Sequence, residues 1–289
     1  MVIWHQSKAK INRLFGSGPP ETRTTHEPTC RFPQEIVEMI VAQSDDLDTL
    51  KACSLACRSW YIAALPHIHH TLILKEGRSD KRHDKLKPLS KLHKLGLAPL
   101  VKQITVHQQR DSSWFTPEAF SRRDLHCLSP FTNVRTLRLD SLDVSRFTPD
   151  MEHHFKHFSP TLRSIMLPNP CCTPRQLSYF LSFFSNLDDI CIIGESKHRP
   201  HTTSDAELVP FSTQGLQGQL MLYNCRWIKT WTQLITSCGG LRFRCMHLYK
   251  VGTCAPILFE ACAETLETLR IYPRDGSVGK LFNVGLSMD

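Results

Sequence analysis

No run of about 18 apolar residues occurs in this 289-residue chain. The longest uncharged apolar stretch, Gln176 to Leu187, is too short to span a bilayer. Phosphate-cradling glycine loops are missing as well. There is no Gly-x-Gly-x-x-Gly or Walker A pattern, and Gly16-Ser17-Gly18 lacks the strand that a nucleotide loop follows. A Gly-x-Ser-x-Gly nucleophile elbow is absent. Although there are 12 cysteines, none forms Cys-x-x-Cys or pairs with histidine at zinc-like spacing. Cys53 and Cys57 stand four apart without a third or fourth ligand. His153, His154 and His157 lack both an outside ligand and the glutamate base of a zincin, and read as a solvated helix face. No charged n-region followed by an apolar h-region opens the chain. These absences predict no catalytic group, no metal, no cofactor and no membrane span. They also predict reduced thiols in a cytoplasmic or nuclear protein, several serving as small core hydrophobes.

The composition is that of a folded protein. Apolar residues make up 41% and charged residues 21%, which excludes wholesale disorder, collagen-like and coiled-coil architectures. The net charge of +8 is concentrated in one place. Residues 75–110 carry ten Lys/Arg against the acids Glu76, Asp80 and Asp84, and the rest of the chain is close to neutral. No global footprint for nucleic acid is therefore present, and aromatics for stacking single strands are missing from that segment's charged core. A solvated basic insertion over 75–98 is the expectation. Residues 1–30, with Gly16, Gly18, Pro19, Pro20 and Pro28, read as a disordered tail.

From Arg31 the pattern turns helical. Pro33 suits a first helical turn, and an apolar stripe runs through Ile36 and Ile40, with Met39 alongside. Asp45, Asp46 and Asp48 make a polar turn, and Asp48 or Thr49 is the expected cap of the next helix. Leu50, Cys53 and Cys57 continue at helical spacing with Leu55 beside them. Trp60, Ile62 and Leu65 form a third short helix expected to stop at Pro66. Three short helices in so short a segment make a poor independent fold, so leftover apolar side chains would dock elsewhere.

Over residues 31–70 this order of residue types resembles an F-box. The matching elements are Phe32-Pro33-Gln34-Glu35-Ile36, Met39-Ile40, the run from Leu50 to Leu55, and Ala56-Cys57-Arg58-Ser59-Trp60. Phe32 stands where the family more commonly has leucine. The resemblance implies docking onto the Skp-type adaptor of a cullin–RING ubiquitin ligase. Phe32, Pro33, Ile36, Ile40, Leu50, Leu55, Cys57 and Trp60 match family positions that form either the adaptor face or the module's own core.

Residues 71–289 read as irregular repeats. A strand-like run at 69–74 precedes a recurring apolar triplet: Val101/Ile104/Val106, Val134/Leu137/Leu139, Leu162/Ile165/Leu167, Leu187/Ile190/Ile192, Phe243/Met246/Leu248 and Leu266/Leu269/Ile271, with a looser copy at Leu216/Leu220/Leu222. Their middle residues lie 23 to 33 residues apart. Between them Thr116-Pro117, Thr148-Pro149 and Thr173-Pro174 each set a capping Thr before a Pro at a first helical position. Helical stripes follow at Met151/Phe155/Phe158, Leu177/Phe180/Leu181/Phe184, Trp227/Trp231/Leu234/Ile235 and Leu258/Phe259/Cys262.

Strand, loop and helix at this period suggest a solenoid, and this half resembles the irregular leucine-rich repeats often found behind an F-box. The expected fold class is α/β: an N-terminal three-helix F-box module, then a curved parallel sheet with helices on its convex side. An ordinary α/β domain with helical crossovers shares the alternation. It differs in having both sheet faces covered. The strand residues expected to point away from the core are Arg138, Met166, Cys191, Met221, His247 and Arg270, and they would line a target-binding arc. The function implied is a substrate receptor that holds the Skp-type adaptor at one end and an unknown target protein at the other. A non-ligase interaction scaffold is the alternative.

Overall fold

The structure is a computed structural model that describes residues 32–75, 87–107, 128–142, 149–170, 172, 174–194, 217–224, 241–250, 255–272 and 281–282. The predicted tail at 1–30, the Thr116-Pro117 helix start, the Trp227–Ile235 stripe, Leu216, and the most basic part of the insertion lie outside the described residues.

Among the described residues three helices come first: α1 (Gln34–Ala42), α2 (Leu47–Ala56) and α3 (Arg58–Ile68). Two local expectations need correction. Asp46, not Asp48 or Thr49, caps α2, because the helix begins at Leu47, at least two residues earlier than those caps imply. The Asp46 carboxylate accepts the Thr49 backbone N–H and hydroxyl, both at 2.7 Å, and this hydrogen bonding holds Asp46 below the ordinary carboxylate pKa. Helix α3 does not stop at Pro66 but runs on to Ile68. Pro66 falls in the last turn, where it removes one hydrogen bond, and the chain closes with the His69 N–H on the Leu65 carbonyl.

After the helices comes an open nine-stranded sheet whose spatial order is the chain order, β1 through β9. The strands are β1 (Thr71–Lys75), β2 (Gln103–His107), β3 (Thr136–Leu139), β4 (Ser164–Pro168), β5 (Asp189–Ile193), β6 (Gln219–Tyr223), β7 (Cys245–Tyr249), β8 (Thr268–Tyr272) and β9 (Leu281–Phe282). The first eight pair in parallel, and β9 pairs antiparallel to the β8 edge. Every parallel neighbour is the next strand in sequence, so the sheet grows in one direction and never folds back on itself.

The recurring triplets explain this order. Their middle residues fall into a single register row: Ile104, Leu137, Ile165, Ile190, Leu220, Met246 and Leu269, with Leu72 of β1 at its start. All are buried, as are the preceding anchors Val101, Val134, Leu162, Leu187, Phe243 and Leu266. Helices supply the other side of this core: α4 (Lys87–Lys94), α5 (Pro149–Lys156), α6 (Pro174–Leu181) and α7 (Ala255–Cys262). Helices α5 and α6 begin at Pro149 and Pro174, as the Thr-Pro signals predicted. Leu89, Phe155, Phe158, Leu177, Phe180, Leu181, Phe184, Leu258 and Cys262 join the strand anchors in one cluster. Phe180 is fully buried and meets Phe155, Phe183 and Phe184 edge to face at 5.7, 5.8 and 5.3 Å.

Two further expectations are corrected here. The 75–98 stretch is not wholly a solvated insertion: Leu89 is fully buried, and Leu92 packs against the main core, so α4 belongs to the fold. Nor is the histidine cluster of α5 simply solvated. His154 is buried, while His153 and His157 are exposed, and His157 Nε2, just past the helix, donates to the Ser129 carbonyl at 3.1 Å.

Strands β3 to β7 are closed in the same way. Ser141, Asn169, Gly194, Asn224 and Lys250 have φ of 56°, 48°, 77°, 51° and 52°. This left-handed region favours Gly and tolerates Asn. The turn aims each N–H sideways, onto the carbonyl of Pro168, Ile193, Tyr223, Tyr249 and Tyr272 respectively, at 2.6 to 2.9 Å. At Gly194 a Cβ would also meet Asn169 Oδ1 at 2.5 Å. The turn therefore carries the sheet's lateral hydrogen bonding one step past the strands.

Truncating Phe180→Ala should destabilise the chain by about 3–5 kcal/mol, since it removes a fully buried ring from a well-packed cluster. Urea denaturation checks this, and a loss under about 1 kcal/mol would contradict the packing described.

Candidate functional site

Two surfaces stand out, one on the helices and one on the sheet. The helical module has its own small core, separate from that of the sheet. It consists of Val37, Val41, Leu50, Ala63 and Ala64, with Cys53, Trp60 and Ile68 packed against it. Helix α3 contacts both α1 and α2. Val37 and Val41 stand one turn apart, so they define the inward side of α1. The predicted stripe through Ile36 and Ile40 is a different side. Ile36, Met39 and Ile40 are exposed, as is Phe32 before the helix. Leu47, Ile62 and above all Leu55, at 86% exposure, add to this surface from α2 and α3.

Among the described residues, every exposed large apolar side chain lies in this module, except Ile73 on β1. Isolated surface leucines are common, but this concentration is not, and each such side chain would gain about 1.5–3 kcal/mol on full burial. The sequence-predicted residues thus divide. Phe32, Pro33, Ile36, Ile40 and Leu55 are exposed, Leu50 is in the core, Trp60 is half-buried against it, and Cys57 is half-buried.

On the sheet, the register brings all six predicted arc residues into one row: Arg138, Met166, Cys191, Met221, His247 and Arg270, preceded by Ile73 and Thr105. They lie on the face opposite the apolar anchors, because successive strand residues alternate sides. Their availability differs. Arg270 is exposed, and Arg138, Met166, Met221 and His247 are half-buried. Cys191 shares the row but offers no surface, at 5% exposure. It is the shortest side chain among these six, flanked in register by two methionines. Burial pushes its thiol up to about 11, against a small opposing pull from the Arg138 charge.

The flanking rows of this face, which the sequence reading did not single out, carry more distinctive chemistry. Asp140 is held by His107 Nδ1 at 2.5 Å and by Arg138 Nε at 3.1 Å. Asp189 Oδ1 accepts the Gln219 N–H at 2.8 Å. Cys245 Sγ lies 3.3 Å from His247 Nε2, but burial raises the thiol and lowers the imidazole, so the pair is neutral and not an activated thiolate. Tyr223, Tyr249 and Tyr272 form the outer row at the strand ends. The signal for them was in the sequence: each tyrosine directly follows the third anchor of its triplet, in Leu222-Tyr223, Leu248-Tyr249 and Ile271-Tyr272.

Among the described residues no group of three or more His, Cys, Asp or Glu is placed to hold a metal ion, and no helix is long and apolar enough to cross a membrane. The described cysteines, Cys53, Cys57, Cys172, Cys191, Cys245 and Cys262, are all free thiols. No protein-family model matches the chain, and no curated protein matches its sequence.

Because Met39 and Leu55 contribute no core packing, Met39→Ser/Leu55→Ser should leave the urea midpoint within about 0.5 kcal/mol of the parent while lowering the fluorescence of a bound hydrophobic dye. A loss above about 2 kcal/mol would show that these side chains are packed inside the molecule.

Proposed function

We propose that this chain is an F-box protein with irregular leucine-rich repeats, acting as the substrate receptor of a cullin–RING ubiquitin ligase. Helices α1–α3 dock onto the Skp-type adaptor, and the outward face of the sheet receives a target protein. The observation that carries the reading is the division of apolar residues in the helical module. A module so small buries Val37, Val41 and Leu50 for itself and still exposes Phe32, Ile36, Met39, Ile40, Leu47, Leu55 and Ile62. An amphipathic helix with apolar residues on a second side has more than one surface to cover.

The repeat half of the reading rests on other features. Strands follow each other in chain order, at the 23- to 33-residue spacing of the sequence. A left-handed residue closes successive units in the same way. The apolar anchors and helices share one core on one side, while the opposite side carries Arg138, Met221, His247, Arg270 and the tyrosines. An open sheet of this kind presents rows of side chains to a partner without any catalytic group of its own. Transfer of ubiquitin would take place on other subunits, and this chain would supply two binding faces and a fixed separation between them.

Co-purification with a Skp-type adaptor tests the reading. The parent chain should recover the adaptor, and Pro33→Ala/Ile36→Asp should lose it while retaining the parent's thermal melting. Placing a carboxylate at Ile36 puts an uncompensated charge in the interface. Equal recovery by parent and variant would reject this docking face. A parent chain that recovers no adaptor would leave an interaction scaffold without a ligase link.

A further inference from the structure

Three of the chain's five tyrosines share one margin of the outward sheet face. Tyr223, Tyr249 and Tyr272 end β6, β7 and β8 and are direct register partners. Their ring centroids lie 3.8 and 4.0 Å apart, with planes within 8° and 4° of parallel. Strands stand about 4.8 Å apart, so the rings lean into face contact. No planar base fits between them. The ladder instead offers its edges and its phenol hydroxyls. Hydrogen bonding with Tyr223 holds the Tyr249 phenol above its ordinary pKa, and hydrogen bonding with Tyr249 does the same for Tyr272. Both stay protonated with that one proton engaged in the ladder, so each oxygen is left to accept a backbone N–H.

Among the described residues the charge around the ladder has one sign. Lys250, Asn224 and the three tyrosines line an open hollow of about 750 Å³ at the strand ends, which also reaches Asn169 and Ile193. Among the described residues no carboxylate lines it. Arg270 is exposed on the same face and hydrogen-bonds to Tyr272. Among the described residues neither Lys250 nor Arg270 belongs to an ion pair. The acids of this face are engaged elsewhere, Asp140 by His107 and Arg138, and Asp189 by the Gln219 N–H.

We infer that this margin binds an extended acidic peptide segment laid across β4 to β8, its carboxylates on Lys250 and Arg270 and its backbone on the tyrosine hydroxyls and the Asn224 amide. Four strand spacings span roughly 19 Å, which matches about six residues of extended chain. The apolar ring edges and Ile193 give the segment a floor, and the two cations select its charge. The inference rests on the outward face being the target-binding face, and it does not depend on the adaptor.

Fluorescence anisotropy on the full chain tests it, with labelled hexaglutamate as probe and hexaglutamine, hexalysine and a six-nucleotide thymidine strand for comparison. Hexaglutamate should bind saturably, more tightly than the other three, and more weakly as salt is raised. Lys250→Asn/Arg270→Gln should weaken it roughly fivefold or more. Asn suits the left-handed backbone there, as Asn169 and Asn224 show, so the variant keeps the turn. Tyr249→Phe retains the ring stack and should weaken the peptide severalfold with unchanged melting. Hexaglutamate bound no better than hexaglutamine, a double variant equal to the parent, or tighter binding of the thymidine strand would overturn the inference. Adaptor recovery measured on the same double variant separates the two readings. Loss of peptide with the adaptor retained by the parent confines a failure to this site, and peptide binding without adaptor recovery confines it to the ligase reading.

Discussion

The fold depends on lateral registration of strands that cannot cover their own apolar anchors. A single five-residue strand such as Ser164–Pro168 presents Ile165 and Leu167 to one side, and nothing within its own unit closes off both flanks of that pair. The next strand in the chain does so by placing Ile190 and Ile192 directly alongside. Repeating this step gives a continuous apolar row, and the left-handed residue after each of β3 to β7 adds one more lateral hydrogen bond. Each parallel strand is tied to the next in sequence. The unit is thus stable only as part of an array, and its opposite face is left for other uses.

The helices differ from the strands in this respect. Val37, Val41, Leu50, Ala63 and Ala64 make a core, but a small one, distinct from the array. Seven large apolar side chains, Phe32, Ile36, Met39, Ile40, Leu47, Leu55 and Ile62, are left exposed outside it. The outward sheet face is of another character. It has few large apolar side chains, several cations, a tyrosine ladder, and acids that are already engaged. One surface is apolar, and the other is polar and carries exposed cations.

Much of this was legible in the sequence. Anchors at Leu137/Leu139, Ile165/Leu167 and Ile190/Ile192 stand out because a parallel strand buried on one side repeats its apolar residues every second position, and register follows once the triplets are aligned. Pro149 and Pro174 mark helix starts because a first-turn proline loses no hydrogen bond. Other features depended on tertiary context. Whether Ile36 or Val37 faces inward is decided by where α3 lies, and periodicity alone does not say. His154 and Leu89 are buried by neighbouring chain although their own segments are strongly polar. Cys191 fell in the predicted row but was covered because its side chain is short and its register neighbours are long. The tyrosine ladder shows only when three widely separated dipeptides are placed side by side.

The central claim is that the apolar surface of α1–α3 is a grip for another subunit. Hydrogen–deuterium exchange on the full chain, with and without a Skp-type adaptor, tests it most directly. The account predicts slowed exchange over 34–56 when the adaptor is present, with the strands from 164 to 272 unchanged. Exchange that is unaltered over the helices, or slowed only on the sheet, would contradict it.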